Sequence, residues 1–350
     1  MYVRPAAAAA AAFLGFTLTV MGGTASSAAA GPGTDPGTST GTGTGPGTAA
    51  APGPAPAVTG PLGPVVYAHR GASAYAPENT LAAIDLAMRL GFDWVENDVQ
   101  RTKDGELVVI HDDTLTRTTD VEQVFPDRKS WLVKDFTAAE IARLDAGSWF
   151  GPGFTGARVP TLRQYLDRVQ RNQQRLLLEI KKPELYPGIE EQTLRVLEEA
   201  GWLDEGHVQR RLVVQSFSAD SVRLVHGMRP ELVTAFLGTP TVADLPRYAE
   251  FTDRINPWHT TISADWVAAV HGLLGAHGKA MEVDTWIVDD AATARKVQGM
   301  GVDGIITNAP DVVQEAVLGQ EAVLGREGLL GQDGLLGREG VLGHQGVLGS

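Results

Sequence analysis

The stretch Trp94-Val95-Glu96-Asn97-Asp98-Val99-Gln100-Arg101-Thr102-Lys103-Asp104-Gly105-Glu106-Leu107-Val108-Val109-Ile110-His111-Asp112 decides the fold. Trp94–Val99 and Leu107–Ile110 both read as buried strands, and only the turn around Lys103-Asp104-Gly105-Glu106 separates them. So few residues cannot cross over a sheet, so the two runs must be antiparallel. The return run then brings His111 back to the level of Glu96 and Asp98. Those two carboxylates are two positions apart on one strand and share a face.

Working outward, strands alternate with helices. Val65–Ala68 is a strand, Asn79 is placed to cap a helix over Thr80–Leu90, and Gly91 ends that helix. After the hairpin, 112–160 forms a long excursion over the sheet's end before a helix at Leu162–Gln170. Then come Leu176–Ile180 with Ile189–Ala200, Leu212–Gln215 with Ala219–Met228, and Leu232–Phe236 with Val242–Ala249. Arg254–Asn256 with Ala264–Ala276, Met281–Val288 with Ala291–Gly299, and Gly304–Thr307 with Asp311–Val317 complete the series. Such alternation implies a parallel sheet, and eight units suggest closure into a (βα)8 barrel with an insertion after the second-strand hairpin.

The 350 residues carry a formal charge of −13 and no basic block, which argues against a nucleic-acid partner. There are no cysteines, so disulfides, zinc-thiolate sites and cysteine nucleophiles are excluded. Residues 1–30 read as an export signal: Arg4, an apolar run from Ala6 to Met21, then small residues ending in Ala28-Ala29-Ala30. That run is shorter than the roughly 20 residues a membrane span needs, so the expectation is a secreted protein without a transmembrane segment. Residues 31–64, rich in Gly, Pro and Thr, read as a linker, and 65–317 as the folded domain. In 318–350 a Leu-Gly pair recurs every six residues from Leu318-Gly319 to Leu348-Gly349. Too few repeats stack to bury a core, so this tail is expected to be flexible, with a partner the sequence does not name.

The chemistry gathers at strand ends. Glu96, Asp98 and Glu179 offer three carboxylates, whose burial together is costly unless a cation compensates. All-oxygen donors suit Ca2+ or Mg2+ better than zinc. The competing reading pairs them with basic residues, for instance Glu179 with Lys181. His69 and His111 are the natural acid–base pair, and Arg70 and Lys181 can hold phosphate oxygens. The set suits phosphodiester cleavage, one histidine deprotonating the attacking oxygen and the other protonating the departing alcohol.

These motifs resemble the glycerophosphodiester phosphodiesterase family. The resemblance rests on Ala68-His69-Arg70-Gly71, Ala76-Pro77-Glu78-Asn79-Thr80, Glu96-Asn97-Asp98-Val99, Lys103-Asp104-Gly105, and Val109-Ile110-His111-Asp112 with Leu115-Thr116-Arg117-Thr118-Thr119. It continues through Leu178-Glu179-Ile180-Lys181, Gln215-Ser216-Phe217, Thr285-Trp286-Ile287-Val288 and Gly301-Val302-Asp303-Gly304-Ile305-Ile306-Thr307-Asn308. It implies a TIM barrel of the phospholipase C-like phosphodiesterase type, hydrolysing small glycerophosphodiesters to glycerol 3-phosphate and an alcohol. It implies one divalent cation on Glu96, Asp98 and Glu179, catalysis by His69 and His111, and substrate contacts from Arg70, Lys181 and Trp286. It further implies attack by the glycerol 2-hydroxyl, giving a cyclic phosphate that water opens. Glu78 reads as a brace behind the site, while Trp258 and His259 have no assigned counterpart. An alternative is a related barrel acting on intact phospholipid or sphingolipid head groups, with Phe125, Trp131, Trp149, Phe150 and Phe154 as an apolar rim. A catalytically silent surface protein would lack at least one acid–base or ligand residue, and none is missing.

Overall fold

The computed structural model describes residues 63–318. The expected export signal, all but the last two residues of the expected linker, and the tail beyond Leu318 lie outside the described residues. The strands are β1 (Val65–Ala68), β2 (Trp94–Arg101), β3 (Leu107–Val109), β4 (Arg175–Ile180), β5 (Leu212–Ser216), β6 (Val233–Leu237), β7 (Arg254–Asn256), β8 (Glu282–Thr285) and β9 (Gly304–Thr307). They form one sheet in the order β1-β9-β8-β7-β6-β5-β4-β2-β3, and a parallel pairing of β1 with β2 closes eight of them into a barrel. β3 is the antiparallel addition, with Val99 opposite Val109 and Arg101 opposite Leu107. β2 pairs with β4 only as far as Val99, so Gln100 and Arg101 project past the barrel and carry the hairpin. The Ile110 amide donates to the Asp98 carbonyl at 2.9 Å, which sets His111 beside the strand end as the turn length required.

Alternation along the strands sorts the side chains into two layers. Val66, Ala68, Val95, Val99, Leu176, Leu178 and Ile180 face the helices and join the large core cluster. Tyr67, Trp94, Leu177, Val213, Ala235 and Ile306 face inward and fill the barrel. Below them, Arg254 reaches the Tyr67 hydroxyl at 2.5 Å, Asp284 at 2.9 Å and Glu282 at 2.8 Å. This ionic group sits at the amino-terminal end of the barrel, with Asp284 buried and Glu282 reaching the surface. Gly304 makes room for it: a Cβ there would stand 2.2 Å from Asp284 Oδ1 and 2.6 Å from the Tyr67 ring.

Several boundaries differ from expectation for local reasons. Thr80, not Asn79, caps the first helix, accepting from Ala83 N, while Asn79 takes a left-handed φ of 59°. The helix expected from Val242 begins at Leu245, because Pro246 lacks an N–H and fits only a first turn. The helix expected to reach Ala276 stops at His271, and Leu274 pairs instead with Ala280. A further helix, Glu205–Arg210, is capped by Asp204, which accepts from His207 N. The excursion 112–160 has a core of its own, in which Leu115, Val121, Val133, Phe136, Ile141 and Leu144 pack with Val108 and Ile110. Its far end is pinned by Asp145, which accepts from the amides of Gly147, Ser148 and Gly156 at 2.7–2.8 Å.

Overpacking of a filled core costs about 1–3 kcal/mol. Gly304→Ala is therefore expected to lower the unfolding midpoint by a clearly measurable amount in thermal or urea melts. An unchanged midpoint would show that the Asp284–Arg254 group can move aside.

Candidate active site

β1 ends in His69-Arg70-Gly71, where Arg70 and Gly71 both take left-handed conformations, φ 56° and 84°. The second position admits only glycine, since a Cβ would meet the Ala83 backbone at 2.6 Å. This turn aims the Arg70 amide at Glu96 Oε2, 3.0 Å away. Its side chain folds back onto Glu78 Oε1 at 2.7 Å and Asp98 Oδ2 at 3.2 Å. Glu78 is thus the brace that the sequence suggested.

Glu96, Asp98 and Glu179 are all buried and can each place one oxygen within 4.8 Å of the others. Asp98 is the hub. Asn79 Nδ2 donates to its Oδ2 at 2.7 Å, and Lys181 Nζ lies 3.7 Å from its Oδ1. Lys181 Nζ also lies 2.7 Å from Glu179 Oε1, so the competing ion pair of the sequence reading is present beside the acidic cluster. Burial pushes Glu96 well above the usual carboxylate range, with Asp98 and Glu179 adding to the rise. Burial also raises Glu179 to about 8, against the partial opposition of Lys181. At Asp98 burial acts in the same upward sense, but Arg70 and Lys181 outweigh it and hold the carboxyl low. Asp98 Oδ1 has no hydrogen-bond partner although the residue is fully buried. Orphaned buried oxygens of this kind are rare and call for an explanation. A hard divalent cation coordinated by the three carboxylates supplies one, so the donor set fits Ca2+ or Mg2+.

The two histidines are held differently. His69 Nδ1 lies 2.7 Å from Asn308 Oδ1. The amide's orientation follows from its other end: Nδ2 lies 2.7 Å from Asp289 Oδ2, and a carboxylate can only accept. Asn308 Oδ1 must then accept from His69 Nδ1–H, which leaves the lone pair on Nε2. Burial, helped by the positive charge of Arg70, lowers the His69 pKa to about 3. His111 Nδ1 instead faces a carboxylate, Asp112 Oδ1, at 2.7 Å. Its backbone is clamped by Gln100, whose Nε2 lies 2.7–3.0 Å from the carbonyls of Ile110, His111 and Asp112.

His69, Arg70, Glu96, His111, Glu179, Lys181 and Trp286 all line one cleft at the carboxyl-terminal ends of the strands. Barrel enzymes keep their sites at that end. A larger cavity of about 960 Å³ opens at the opposite end, where His277 pairs with Asp253 and Arg254 with Glu282. The excursion aromatics proposed as a rim do not line the cleft. Phe125 and Trp131 pack into the excursion's own core, and Trp149, Phe150 and Phe154 stack edge to face on one another. The aromatic wall is Phe217 and Trp286, 5.4 Å apart, with Trp258 packed 4.8 Å from Trp286. Trp286 is fixed by its Nε1 donating to the Asn256 carbonyl at 2.7 Å. Asn79, Gln100, Asp289 and Asn308 were given no such roles from sequence. Asn308 could have been found from its place at a strand end and at the close of the Gly301–Asn308 motif.

Residues 69–312 match the Glycerophosphoryl diester phosphodiesterase family. A glycerophosphodiester phosphodiesterase of Caldanaerobacter subterraneus is 36% identical over 259 residues, covering 71% of this chain and 96% of that protein. One from Bacillus subtilis is 34% identical over 268 residues, covering 72% and 86%. Among solved structures, an Oleispira antarctica phosphodiesterase in complex with the product sn-glycerol-3-phosphate is similar with a TM-score of 0.62 at 29% identity, covering 73% of this chain and 97% of that one. A glycerophosphodiester phosphodiesterase from Agrobacterium tumefaciens gives 0.55 at 28% identity, covering 71% and 98%. With this barrel, this cleft and these matches along the whole folded domain, the chain belongs to the glycerophosphoryl diester phosphodiesterase family.

Proposed function

We propose that the protein hydrolyses glycerophosphodiesters to glycerol 3-phosphate and an alcohol, using a divalent cation held by Glu96, Asp98 and Glu179. The observation that carries this reading is the convergence of both histidines, both cationic side chains and the acidic triad on one cleft. When bound, the cation supplies positive charge to the phosphoryl oxygens. Arg70 and Lys181 orient the phosphate from either side of Asp98. His69, whose Nδ1–H is committed to a neutral amide, takes the proton of the attacking hydroxyl on Nε2. His111, whose Nδ1–H faces a carboxylate able to stabilise an imidazolium, gives its proton to the departing alcohol. With the glycerol 2-hydroxyl as nucleophile, the first product is a cyclic glycerol phosphate. The roles then reverse: His111 takes a proton from water, and His69 returns one to the 2-oxygen.

Secretion belongs to the same proposal and rests on the amino-terminal signal in the sequence. Among the described residues no helix is long and apolar enough to cross a membrane. The exposure of Phe217 and Trp258 beside the cleft, 50% and 37%, supports a second reading in which an intact lipid is the substrate. Turnover of soluble glycerophosphocholine against phospholipid vesicles, each with and without chelator, separates the two. The first reading expects chelator-sensitive turnover of the soluble diester and little of the vesicles.

Positioned acid–base groups contribute about 10²–10⁴-fold. His69→Ala and His111→Ala should each lower kcat within that range while still unfolding cooperatively. Near-native turnover in either variant would remove its assigned role.

Asn308→Asp places a carboxylate against His69 Nδ1–H, which favours the imidazolium. The base then stays protonated to higher pH, so the acidic limb of the kcat/KM profile should move upward. An unmoved limb would mean that His69 is not the group titrating there.

Cation binding requires ionised ligands, and burial has raised Glu96 and Glu179. Protons compete at Glu179 below about 8 and fade above it, and the raised Glu96 adds competition in the same sense. Affinity for Ca2+ or Mg2+ should therefore rise between pH 6 and 8, with proton release visible by calorimetry in buffers of different ionisation enthalpy. A pH-independent affinity would contradict the assignment of these ligands.

A further inference from the structure

Two carboxylates stand behind the cleft, and each holds one of its working side chains. Glu78 Oε1 accepts from Arg70 Nη1 at 2.7 Å, and Asp112 Oδ1 lies 2.7 Å from His111 Nδ1. A single guanidinium joins them. Arg117 Nη1 and Nη2 donate to Glu78 Oε2 and Oε1 at 2.6 and 2.8 Å. Its Nε and Nη2 donate to Asp112 Oδ2 and Oδ1 at 2.7 and 2.9 Å. We propose that Arg117 is a positioning residue that sets the separation of Arg70 from His111, and with it the fit of the phosphodiester between the phosphate-binding and proton-transfer groups. This rests on the function proposed above.

The geometry favours positioning over a surface ion pair. An exposed pair contributes about 0–1 kcal/mol because two flexible side chains must be ordered for one screened contact. Here the Arg117 side chain is 43% exposed, but its partners are not: Glu78 is 13% exposed and Asp112 26%. The planar fork meets both carboxylates in bidentate fashion, an arrangement lysine's single ammonium cannot reproduce. The arginine is itself anchored. Leu115 is fully buried in the excursion core, and Thr119 Oγ1 donates to the Leu115 carbonyl at 2.5 Å while accepting from Val121 N at 3.2 Å. The turn carrying Arg117 is thereby fixed to the excursion, and through Arg117 the excursion bears on the cleft. Without the guanidinium, Glu78 and Asp112 lose the cation they share and are free to swing with the side chains they hold.

The test uses the full-length, cation-loaded enzyme with glycerophosphocholine. A misplacement of about 1 Å can cost on the order of 10²-fold in rate. Arg117→Ala is expected to lose kcat on that scale while its unfolding midpoint changes little. Arg117→Lys should recover only a small part of the loss. Millimolar guanidinium should restore turnover to Arg117→Ala through the vacated, solvent-facing position, and should do nothing for His111→Ala. Adding Asp112→Asn to Arg117→Ala should cost less than Asp112→Asn alone. Wild-type turnover in either Arg117 variant overturns the proposal, as does an Arg117→Ala loss that guanidinium does not rescue. Should Arg117→Ala fail to fold, the folded Lys variant decides: reduced turnover supports positioning, full turnover overturns it. Arg70→Ala and His111→Ala run beside them keep the two readings apart. If those variants stay active, the proposed site is wrong; if they are inactive while Arg117→Ala is active, only the role of Arg117 falls.

Discussion

Burial of three carboxylates at one end of a barrel is the constraint on which the rest of this structure depends. Glu96, Asp98 and Glu179 place three carboxyl groups where water cannot screen a charge, and Arg70 and Lys181 bring two positive ones beside them. Charges taken from water are tolerated only when paired and hydrogen-bonded. The surroundings follow that rule as far as they can. Asn79 gives up a helix cap to donate to Asp98, and Arg70 bends through a left-handed turn to reach it. What remains uncompensated shows as an orphaned Asp98 oxygen and as two carboxyl groups raised by burial. That remainder is what the proposed cation would neutralise.

The barrel accounts for how these groups meet. Parallel strands of period two deliver Glu96 and Asp98 from β2, Glu179 from β4, and the backbone leading to His69 from β1 to the same rim. Among the nine strands of the described sheet only β2 and β3 pair antiparallel, and their hairpin returns the chain to the rim. β2 overshoots the barrel by two residues, and one of them, Gln100, then gathers three consecutive carbonyls around His111. The excursion that follows contributes no side chain beyond His111 to the cleft lining, yet its core fixes the turn that carries Arg117.

Local pattern made much of this legible. Strand ends, turn length and residue chemistry placed His69, Arg70, Glu96, Asp98, His111, Glu179 and Lys181 together, because each depends on a few neighbouring residues. Contacts between distant segments were not legible. Asn308 meets His69 across 239 positions, and no periodicity encodes that encounter. Asn79 looked like a cap because asparagine before a helix usually is one; a tertiary partner, Asp98, outweighed the local preference and left the cap to Thr80. The excursion aromatics looked like a rim because large apolar residues in a long loop suggest exposure. Phe125 and Trp131 instead packed on the loop's own core, Trp149, Phe150 and Phe154 met one another outside the cleft lining, and Phe217 and Trp258, single residues after short strands, took the place at the mouth.

A crystal structure of the enzyme grown with Ca2+ and glycerol 3-phosphate would test the central claim most directly. The account predicts a cation between Glu96, Asp98 and Glu179, with Lys181 drawn from Glu179 toward the phosphate and the two histidines flanking the phosphorus. A phosphate bound with no cation among the three carboxylates, and Lys181 still paired with Glu179, would contradict it.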